Sequence, residues 1–536
     1  MAGDRMTRQD RDLGAFHQLR LWLTEAPLTE RRSVALAIVV IVALLTWAAV
    51  PFGSDHSRIQ LGQSRSGVGP GAPESSGSAG PGGGVGGGSP ASNGTFAPGA
   101  GGATPGGLAG AGPSNEGSAS SGDSQAGGPG PAGSRCGPLT NTDKGVSAAE
   151  ILIGVDIVDL GQLNGTLNLP TYQEQQNAYN AIFAYYNQNG GAQCRKLVPK
   201  YYDDMIADPT SEQNDCLQMA QDGVFAVLNN FFNFQTINCV AQQHIPNVWY
   251  TPPHAPTLKQ FYPYILSDAA NYDRVIRNYV LGAKQEGFFA GLRKLGILEE
   301  TCYPDENTDI AKDLAEAGIK SSQIDIYNYG CPAATDSPPQ DQQAVLQFQR
   351  DGVTHVMNVA YQLVTGFAQA ENTQDYHPKL AIMEDAEMSA FASQNPPPAS
   401  SFDGTLGITT DQVGATTTPG VAVSPATALC TQILAKIGYP GPTQDPHQSL
   451  AGTLYGSGCA VIKFLIAAIQ NDTPLVRTGL PAGIARAGKV DLSYPAGPMN
   501  ITSASDPTGG QYWRADRWSS ACECWHVVDQ TFHDSF

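Results

Sequence analysis

The sequence is poor in positive charge. Its 30 Lys and Arg residues stand against 49 Asp and Glu residues, which gives a formal net charge of −19. A surface of this sign repels phosphate backbones, so nucleic acid is excluded as a principal partner. No stretch of basic residues interleaved with aromatics offsets the repulsion. The composition indicates an acidic, solvated surface.

Motifs for catalysis are also lacking. The chain has no G-x-x-x-x-G-K-[ST] loop and no H-E-x-x-H, and 456–458 lacks the G-x-S-x-G frame of a nucleophile elbow. The nine histidines are scattered along the chain. We therefore predict that the chain is not an enzyme and needs no cofactor. An exported enzyme remains an alternative, and it would convert its ligand.

Cysteine is absent before residue 136. The even number of cysteines after that point predicts disulfides and an oxidising compartment. Buried free thiols in a cytosolic protein are the alternative. Cys522, Cys524 and His526 together resemble a metal site, but disulfides are favoured there and no metal is predicted. The ten cysteines are Cys136, Cys194, Cys216, Cys239, Cys302, Cys331, Cys430, Cys459, Cys522 and Cys524.

Charged residues are also missing from 34–50, which reads VALAIVVIVALLTWAAV. With Pro51 and Phe52 this run is long enough to cross a bilayer. Six arginines precede it and two follow closely, so the positive-inside rule places the N-terminus in the cytoplasm. We predict a cytoplasmic tail at 1–33 and a single transmembrane helix at 34–52, with the rest of the chain extracellular or periplasmic. A cleaved signal peptide is the alternative.

Large apolar side chains are nearly absent from the next segment, which consists mainly of Gly, Ser, Pro and Ala. Such a segment cannot offset its ordering entropy by burial. Residues 53–145 are therefore predicted to form a disordered linker. The apolar periodicity of a folded domain starts at about residue 146 and extends to residue 536.

The folded part alternates short apolar runs with helical patterns, and this alternation predicts parallel sheets covered by helices. It occurs twice, which predicts two lobes, at about 146–265 and 266–400, with later segments crossing between them. Strands are predicted at 151–156, 196–202, 224–228, 247–249, 294–299, 324–327, 355–359 and 380–383. Helices are predicted at 172–187, 211–221 (capped by Ser211), 235–244, 271–286, 305–317, 341–350, 426–437 and 453–470.

At this point the sequence resembles the type I periplasmic binding proteins, in particular the branched-chain amino-acid-binding group of ABC transporters. The resemblance covers about 146–475 and implies an α/β fold of two Rossmann-like lobes joined by a hinge. The last sixty residues match no part of the family. The segments that carry the resemblance are IGVDIVDLG at 153–161, YYDDMIADPTSEQNDCLQMAQDGVFAVL at 201–228, NVWYTPPHAP at 247–256 and YPYILSDAANYDRV at 262–275.

Ligands of parallel sheets lie outside the carboxyl ends of the strands. This rule selects six loops, at 158–168, 229–235, 250–256, 300–306, 360–365 and 384–386. Free N–H groups at 234–237 could hold an anionic group, and two carboxylates of the second lobe could hold an ammonium. The resemblance implies that Thr251 contacts the ligand head group and that Tyr303 covers it. The predicted ligand-binding residues are Asn230, Phe232, Tyr250, Thr251, Tyr303, Tyr361, Glu384 and Asp385.

One departure from the family concerns the residues after the third strand. The family usually has small hydroxyl residues there, whereas this chain has NNFFNF at 229–234. Bulky side chains at this place point to an altered or larger ligand, or to an empty pocket. The interpretation is a solute-binding receptor for an amino acid or similar small polar molecule, delivering it to an ABC permease. The alternative is a sensor that signals through a membrane partner without transport.

Three disulfides are predicted. Cys216–Cys239 joins the second helix of the first lobe to the third, and Cys302–Cys331 and Cys430–Cys459 follow from proximity in the sequence. Cys136, Cys194, Cys522 and Cys524 then allow three connectivities. Pairing the last two with the first two would attach the C-terminal tail to the first lobe.

Overall fold

A computed structural model gives the fold of the chain from residue 138 onward. The predicted cytoplasmic tail and transmembrane helix, and the linker up to residue 137, lie outside the described residues, as do several loops. The structure describes residues 138–159, 169–205, 209–229, 234–250, 253–301, 304–330, 338–359, 364–383, 396–412, 415, 417–439, 441 and 450–536.

The first lobe is built on a parallel sheet of five strands in the order β2-β1-β3-β4-β5. Its central strands are almost wholly buried, because helices cover both faces of the sheet. The predicted strands are confirmed to within a few residues, and β5 is an additional one. The strands are β1 (Glu150–Val158), β2 (Lys196–Asp204), β3 (Ala226–Asn229), β4 (Asn247–Trp249) and β5 (Ile265–Ser267).

Local signals in the sequence account for the start and end of helix α1. Thr171 and Glu174 form a capping box at its N-terminus, and Asn189 caps its C-terminus, where the sequence predicted a stop. The prediction that Ser211 caps the second helix is wrong, because that helix begins two residues earlier. These helices are α1 (Tyr172–Gln188), α2 (Pro209–Asp222), α3 (Phe234–Gln242) and α4 (Ala255–Phe261).

The second lobe has a larger sheet, in which five parallel strands run in the order β10-β9-β8-β6-β7. Four of these strands were predicted and β10 was not. The strands are β6 (Leu295–Glu300), β7 (Ile324–Tyr329), β8 (His355–Asn358), β9 (Lys379–Met383) and β10 (Leu406–Thr409). The helices that follow the first lobe's last strand are α5 (Tyr272–Gln285), α6 (Pro304–Ala317), α7 (Pro338–Asp351), α8 (Val364–Thr373) and α9 (Ala399–Phe402).

The chain then returns to the first lobe before it ends on the second. Helices α10 and α11 pack against α1 of the first lobe. Afterwards β13 pairs antiparallel with β10 and extends the second sheet, so the C-terminal tail belongs to the second lobe. The remaining elements are α10 (Pro425–Ala435), α11 (Leu450–Gln470), α12 (Leu480–Arg486), β11 (Lys489–Val490), β12 (Met499–Asn500), β13 (Tyr512–Ser519), β14 (Cys524–Val527) and β15 (His533–Asp534).

Helix α11 is long and apolar enough to cross a membrane, and it is the one such helix among the described residues. Most of this helix is buried inside the protein, where Phe464, Ala468 and Ile469 are fully enclosed. Its apolar character is therefore explained by its position in a core, since a helix that is apolar all round is buried either in protein or in lipid.

Two predicted disulfides are confirmed, Cys216–Cys239 and Cys430–Cys459. Both cysteines of the predicted Cys302–Cys331 pair, and their surroundings, lie outside the described residues. Among the four cysteines left open, Cys522 pairs with Cys524, and Cys194 is also disulfide-bonded. The connectivity that would attach the tail to the first lobe is therefore wrong.

The two lobes are joined by three crossing segments. The first follows β5 and leads into α5, the second runs from β10 to α10, and the third runs from β11 to β13. Backbone hydrogen bonds join these segments to one another. The N–H of Ser267 donates to the carbonyl of Pro507 (3.1 Å), and the N–H of Gly509 donates to that of Ser267 (2.9 Å). The N–H of Gln412 donates to the carbonyl of Tyr494 (2.8 Å).

Gly509 allows the third crossing segment to lie directly against the first. A Cβ at this position would overlap the backbone carbonyl of Asp268. We predict that Gly509→Ala lowers the free energy of unfolding by about 1–3 kcal/mol, because the two segments must separate. Urea denaturation of the full chain measures the change.

The matched control is Gly330→Ala, since a Cβ at Gly330 meets only one side-chain atom, at an ordinary 3.7 Å. Equal stabilities of the two variants would contradict the close packing of the crossing segments.

Candidate ligand site at the carboxyl edges of the two sheets

Most of the loops that the sequence selected for ligand binding lie outside the described residues. The strands leading into them are described, so the edges that carry the loops are known. The predicted ligand residues that lie outside the described part are Asn230, Phe232, Thr251, Tyr303, Tyr361, Glu384 and Asp385.

Tyr250 is the one predicted ligand residue that the structure describes. It directly follows β4 and is 7% exposed. Its ring packs edge-on against Tyr494 of the third crossing segment, with centroids 5.0 Å apart, and the two hydroxyl oxygens are 2.9 Å apart. The side chain therefore connects the carboxyl edge of the first sheet to the hinge. A ligand that displaces Tyr250 would act on a crossing segment directly.

Trp249 at the end of β4 is fully buried and belongs to the core. It packs with Ile237, Leu258 and Ile265 beneath α3 and α4.

The carboxyl edge of the first sheet carries a buried group of acids that the sequence analysis did not single out. Asp156 of β1 accepts a hydrogen bond from Asn229 Nδ2 of β3 (2.9 Å). Burial raises the pKa of Asp156 well above its ordinary value, and nearby Asp204, Asp215 and Glu212 raise it further. The sequence held a signal for this group, since the segments VDIVD at 155–159 and YYDD at 201–204 both carry aspartates near the carboxyl ends of their strands.

Asp215 on α2 belongs to the same group of acids. Burial, followed by repulsion from Asp204 and Asp203, raises its pKa to about 6. The first-lobe edge thus holds carboxyl groups with raised pKa values, and residues 160–168 and 206–208 follow its strands β1 and β2 in the chain. Protonation of these groups at mildly acidic pH lowers the negative charge of this edge below what its composition implies.

Polar side chains are also buried at the carboxyl edge of the second sheet. Glu299 and Glu300 end β6 and are 3% and 7% exposed. At the end of β7, Tyr329 donates its hydroxyl to Asp341 Oδ1 of α7 (2.9 Å). Buried acids therefore lie at the carboxyl edges of both sheets.

Side chains reinforce the hinge from the second lobe. Arg274 on α5 forms an ion pair with Asp506 (2.6 Å) and donates to the carbonyl of Gly509 (2.7 Å) in the third crossing segment. On the other side, Gln412 Nε2 donates to the carbonyls of Leu492 and Pro495 (both 3.0 Å). These contacts set the positions of the crossing segments relative to both lobes.

Asp268 lies in the first crossing segment with no exposed surface. Its carboxylate oxygens receive no well-aligned hydrogen bond among the described residues, and the nearby N–H of Ala269 donates to Ser267 Oγ instead (3.1 Å). Burial raises the pKa of Asp268 to about 8, with nearby backbone N–H groups opposing the shift. At neutral pH the hinge therefore holds a mainly uncharged carboxyl group.

The fold is that of the type I periplasmic binding proteins, as comparison with solved structures shows. A fatty acid ABC transporter substrate-binding protein from Thermomonospora curvata matches with a TM-score of 0.54 and 15% identity, over 74% of this chain and 95% of its own. The neighbours are ligand-binding proteins of ABC transporters. This result confirms the predicted fold class.

Two other neighbours show the range of ligands that this fold accommodates. A branched-chain amino acid ABC transporter protein from Thermus thermophilus with bound valine has a TM-score of 0.53 and 12% identity, over 74% of this chain and 97% of its own. A solute-binding protein from Rhodopseudomonas palustris BisB5 in complex with 3,4-dihydroxy benzoic acid has a TM-score of 0.53 and 13% identity, over 72% and 98%. No protein-family model matches the sequence, and no curated protein matches it.

The raised pKa of Asp268 predicts a pH dependence of stability. Between an unfolded-state pKa of about 4 and the folded-state value of about 8, the folded chain binds more protons. The free energy of unfolding should therefore fall as pH rises through this window. Asp268→Asn should remove this decrease, whose slope is at most about 1.4 kcal/mol per pH unit. Urea denaturation at several pH values measures it.

Asp375→Asn is the control, because the Asp375 side chain is fully exposed. Wild-type and Asp268→Asn curves that run parallel from acid to neutral pH would show that Asp268 is ionised in the folded chain.

Proposed function

We propose that this chain is an extracytoplasmic solute-binding receptor that closes on a small molecule and does no chemistry on it. One observation carries the proposal: two parallel sheets joined by three hydrogen-bonded crossing segments, matching solute-binding proteins over nearly their whole length. A hinge of this kind lets two lobes move while the segments stay paired, and closure excludes water from the contacts of a bound ligand.

The proposed ligand is a small molecule with a carboxylate, an amino acid or an aromatic acid. Neighbours of this fold bind valine and 3,4-dihydroxy benzoic acid. The first turn of α3 would hold the carboxylate, since the N-terminal end of the helix dipole favours an anion. Thr251 would add a hydroxyl, and the aromatic side chains of Phe232, Tyr250, Tyr303 and Tyr361 would enclose the apolar part.

Delivery to an ABC permease is the proposed role of the bound state. The neighbours are components of ABC transporters, and the apolar segment at 34–52 would keep the domain at the membrane where such a permease lies. A receptor that instead signals through a membrane partner would bind the same ligand without supporting uptake. Loss of ligand uptake on deleting the gene supports transport, and unchanged uptake supports signalling.

A thermal-shift screen of the full chain in detergent tests ligand binding. The panel is amino acids, fatty acids and hydroxybenzoates. A ligand that binds the folded state at 100 times its Kd adds about 2.7 kcal/mol to the free energy of unfolding and must raise the Tm. Recovery of the unchanged compound by mass spectrometry checks that no conversion occurs. A Tm unmoved by every compound, or a converted ligand, would contradict the proposal.

The binding residues are tested with the same assay. If the ligand carries an ammonium, Glu384→Gln should cost about 1.5–3 kcal/mol of binding, because a charged hydrogen-bond partner is lost. Asp375→Asn, at an exposed position outside both carboxyl edges, is the matched control. Equal affinities of the two variants for an amine ligand would exclude Glu384 from the site.

Membrane attachment is tested separately. We expect the full chain to stay in the membrane pellet after an alkaline carbonate wash, because a single apolar helix inserts stably. Protease added outside intact cells should digest the C-terminal domain. A chain that is released by the wash and lacks its first fifty residues would instead show cleavage as a signal peptide.

A further inference from the structure

The hairpin formed by β13 and β14 brings two cysteines and a histidine together at its tip. Cys522 and Cys524 form a disulfide across a single residue. His526 Nε2 lies 3.2 Å from Cys522 Sγ and 3.5 Å from Cys524 Sγ. The three potential ligand atoms all lie within 4.8 Å of one another. We propose that reduction of Cys522–Cys524 creates a Cys₂His site for a thiophilic metal ion such as Zn²⁺.

This disulfide is not required to hold the hairpin. The pairing of β13 with β14 already places Ser519 opposite Cys524 and Trp518 opposite Trp525. In the loop-entropy model a disulfide stabilises more the longer the loop it closes, and this one closes a loop of three residues. Cys216–Cys239 and Cys430–Cys459 close loops with sequence separations of 23 and 29. Opening Cys522–Cys524 therefore leaves the fold intact.

The hairpin keeps the donor atoms close after the bond opens. Trp525, on the face opposite Cys524 and His526, packs edge-on against Phe402 and Trp518, with centroids 6.2 and 5.5 Å away. The backbone of β14 is held as well, since the N–H of Val527 donates to Thr418 Oγ1 (2.8 Å). Two of the three donors, Cys524 and His526, thus stand on a fixed strand, and Cys522 lies in the turn directly before it.

The distances suit a tetrahedral ion. With Zn–S near 2.3 Å and Zn–N near 2.0 Å, neighbouring donor atoms of a tetrahedral site lie about 3.5–3.8 Å apart. The two sulfur–nitrogen distances are within a few tenths of an ångström of that range. The two sulfurs, which are bonded to each other in the disulfide, must move apart to reach this spacing. Two cysteines and one histidine fill three positions, and a water or an external ligand takes the fourth.

Access distinguishes this disulfide from the other two whose cysteines are both described. Cys524 is 5% exposed, but Cys522 is only half-buried and Glu523 between them is exposed. In the other two disulfides all four cysteines are buried, with 0–9% exposure. A dithiol reductant transfers two electrons and two protons to the bond, so that two thiols form and the reductant leaves as its own disulfide. Metal binding then displaces both thiol protons to solvent.

Cobalt binding to the full chain tests the proposal, because Co²⁺ bound by thiolates has a charge-transfer absorbance. The chain is reduced with dithiothreitol, desalted without oxygen and titrated with Co²⁺, then with Zn²⁺. We expect the reduced wild-type chain to bind one equivalent more thiolate-ligated Co²⁺ than the double variant Cys522→Ser/Cys524→Ser. Zn²⁺ should displace this Co²⁺, and the oxidised chain should bind none. Binding by the double variant is the background to be subtracted, because it measures the metal held by the other reduced cysteines.

The histidine is tested with His526→Gln, which should weaken Co²⁺ binding by about tenfold or more. Groups that only hydrogen-bond to metal ligands already change metal affinity by about 10–100-fold, so loss of a ligand itself should cost at least as much. His377→Gln, a partly exposed histidine elsewhere on the second lobe, should bind as wild type does.

A second measurement uses only the wild-type chain, in case the double variant does not fold. Zn²⁺ should protect Cys522 and Cys524 of the reduced chain from iodoacetamide, as read by peptide mass spectrometry. Equal alkylation with and without Zn²⁺ would overturn the proposal. So would a bond that resists reduction until the whole chain unfolds, or Co²⁺ binding equal to that of the double variant.

Discussion

The pairing of the three crossing segments is the interaction on which the rest of the structure depends. Each lobe is completed by chain that has passed through the other, so neither lobe has a continuous sequence of its own. The hydrogen bonds between Ser267 and the 507–509 backbone, and between Gln412 and Tyr494, place the two sheets relative to each other. Gly509 makes this approach possible because a side chain there would overlap the neighbouring backbone.

The protonation state of the acids at the hinge and at the strand ends is set by their burial, and the amino-acid composition alone does not reveal it. The chain is strongly acidic, yet burial holds Asp268 mainly protonated at neutral pH and raises the pKa of Asp156 and Asp215. The neutral form of a carboxyl group avoids the cost of burying like charges side by side. Burial of these acids therefore couples the stability of the fold to pH.

The C-terminal tail shows why local sequence was insufficient there. The last sixty residues lack the apolar alternation of a parallel strand, because β13 carries Arg514 and Asp516 inside an antiparallel pairing with β10. Both residues are almost fully buried. Their burial depends on partners distant in sequence. Similarly, the choice among three pairings of four cysteines required knowing that Cys522 and Cys524 end up on one hairpin, away from the first lobe.

The sequence by itself determined the alternation of strands and helices, the two parallel sheets and two disulfides, because each depends on apolar periodicity, capping residues such as Thr171 or short separations along the chain. Only the tertiary structure decided which segments cross between the lobes, where Tyr250 packs and which acids meet at the carboxyl edge of the first sheet. Those features arise from contacts between residues tens to hundreds of positions apart, for which a single sequence carries no periodic signal.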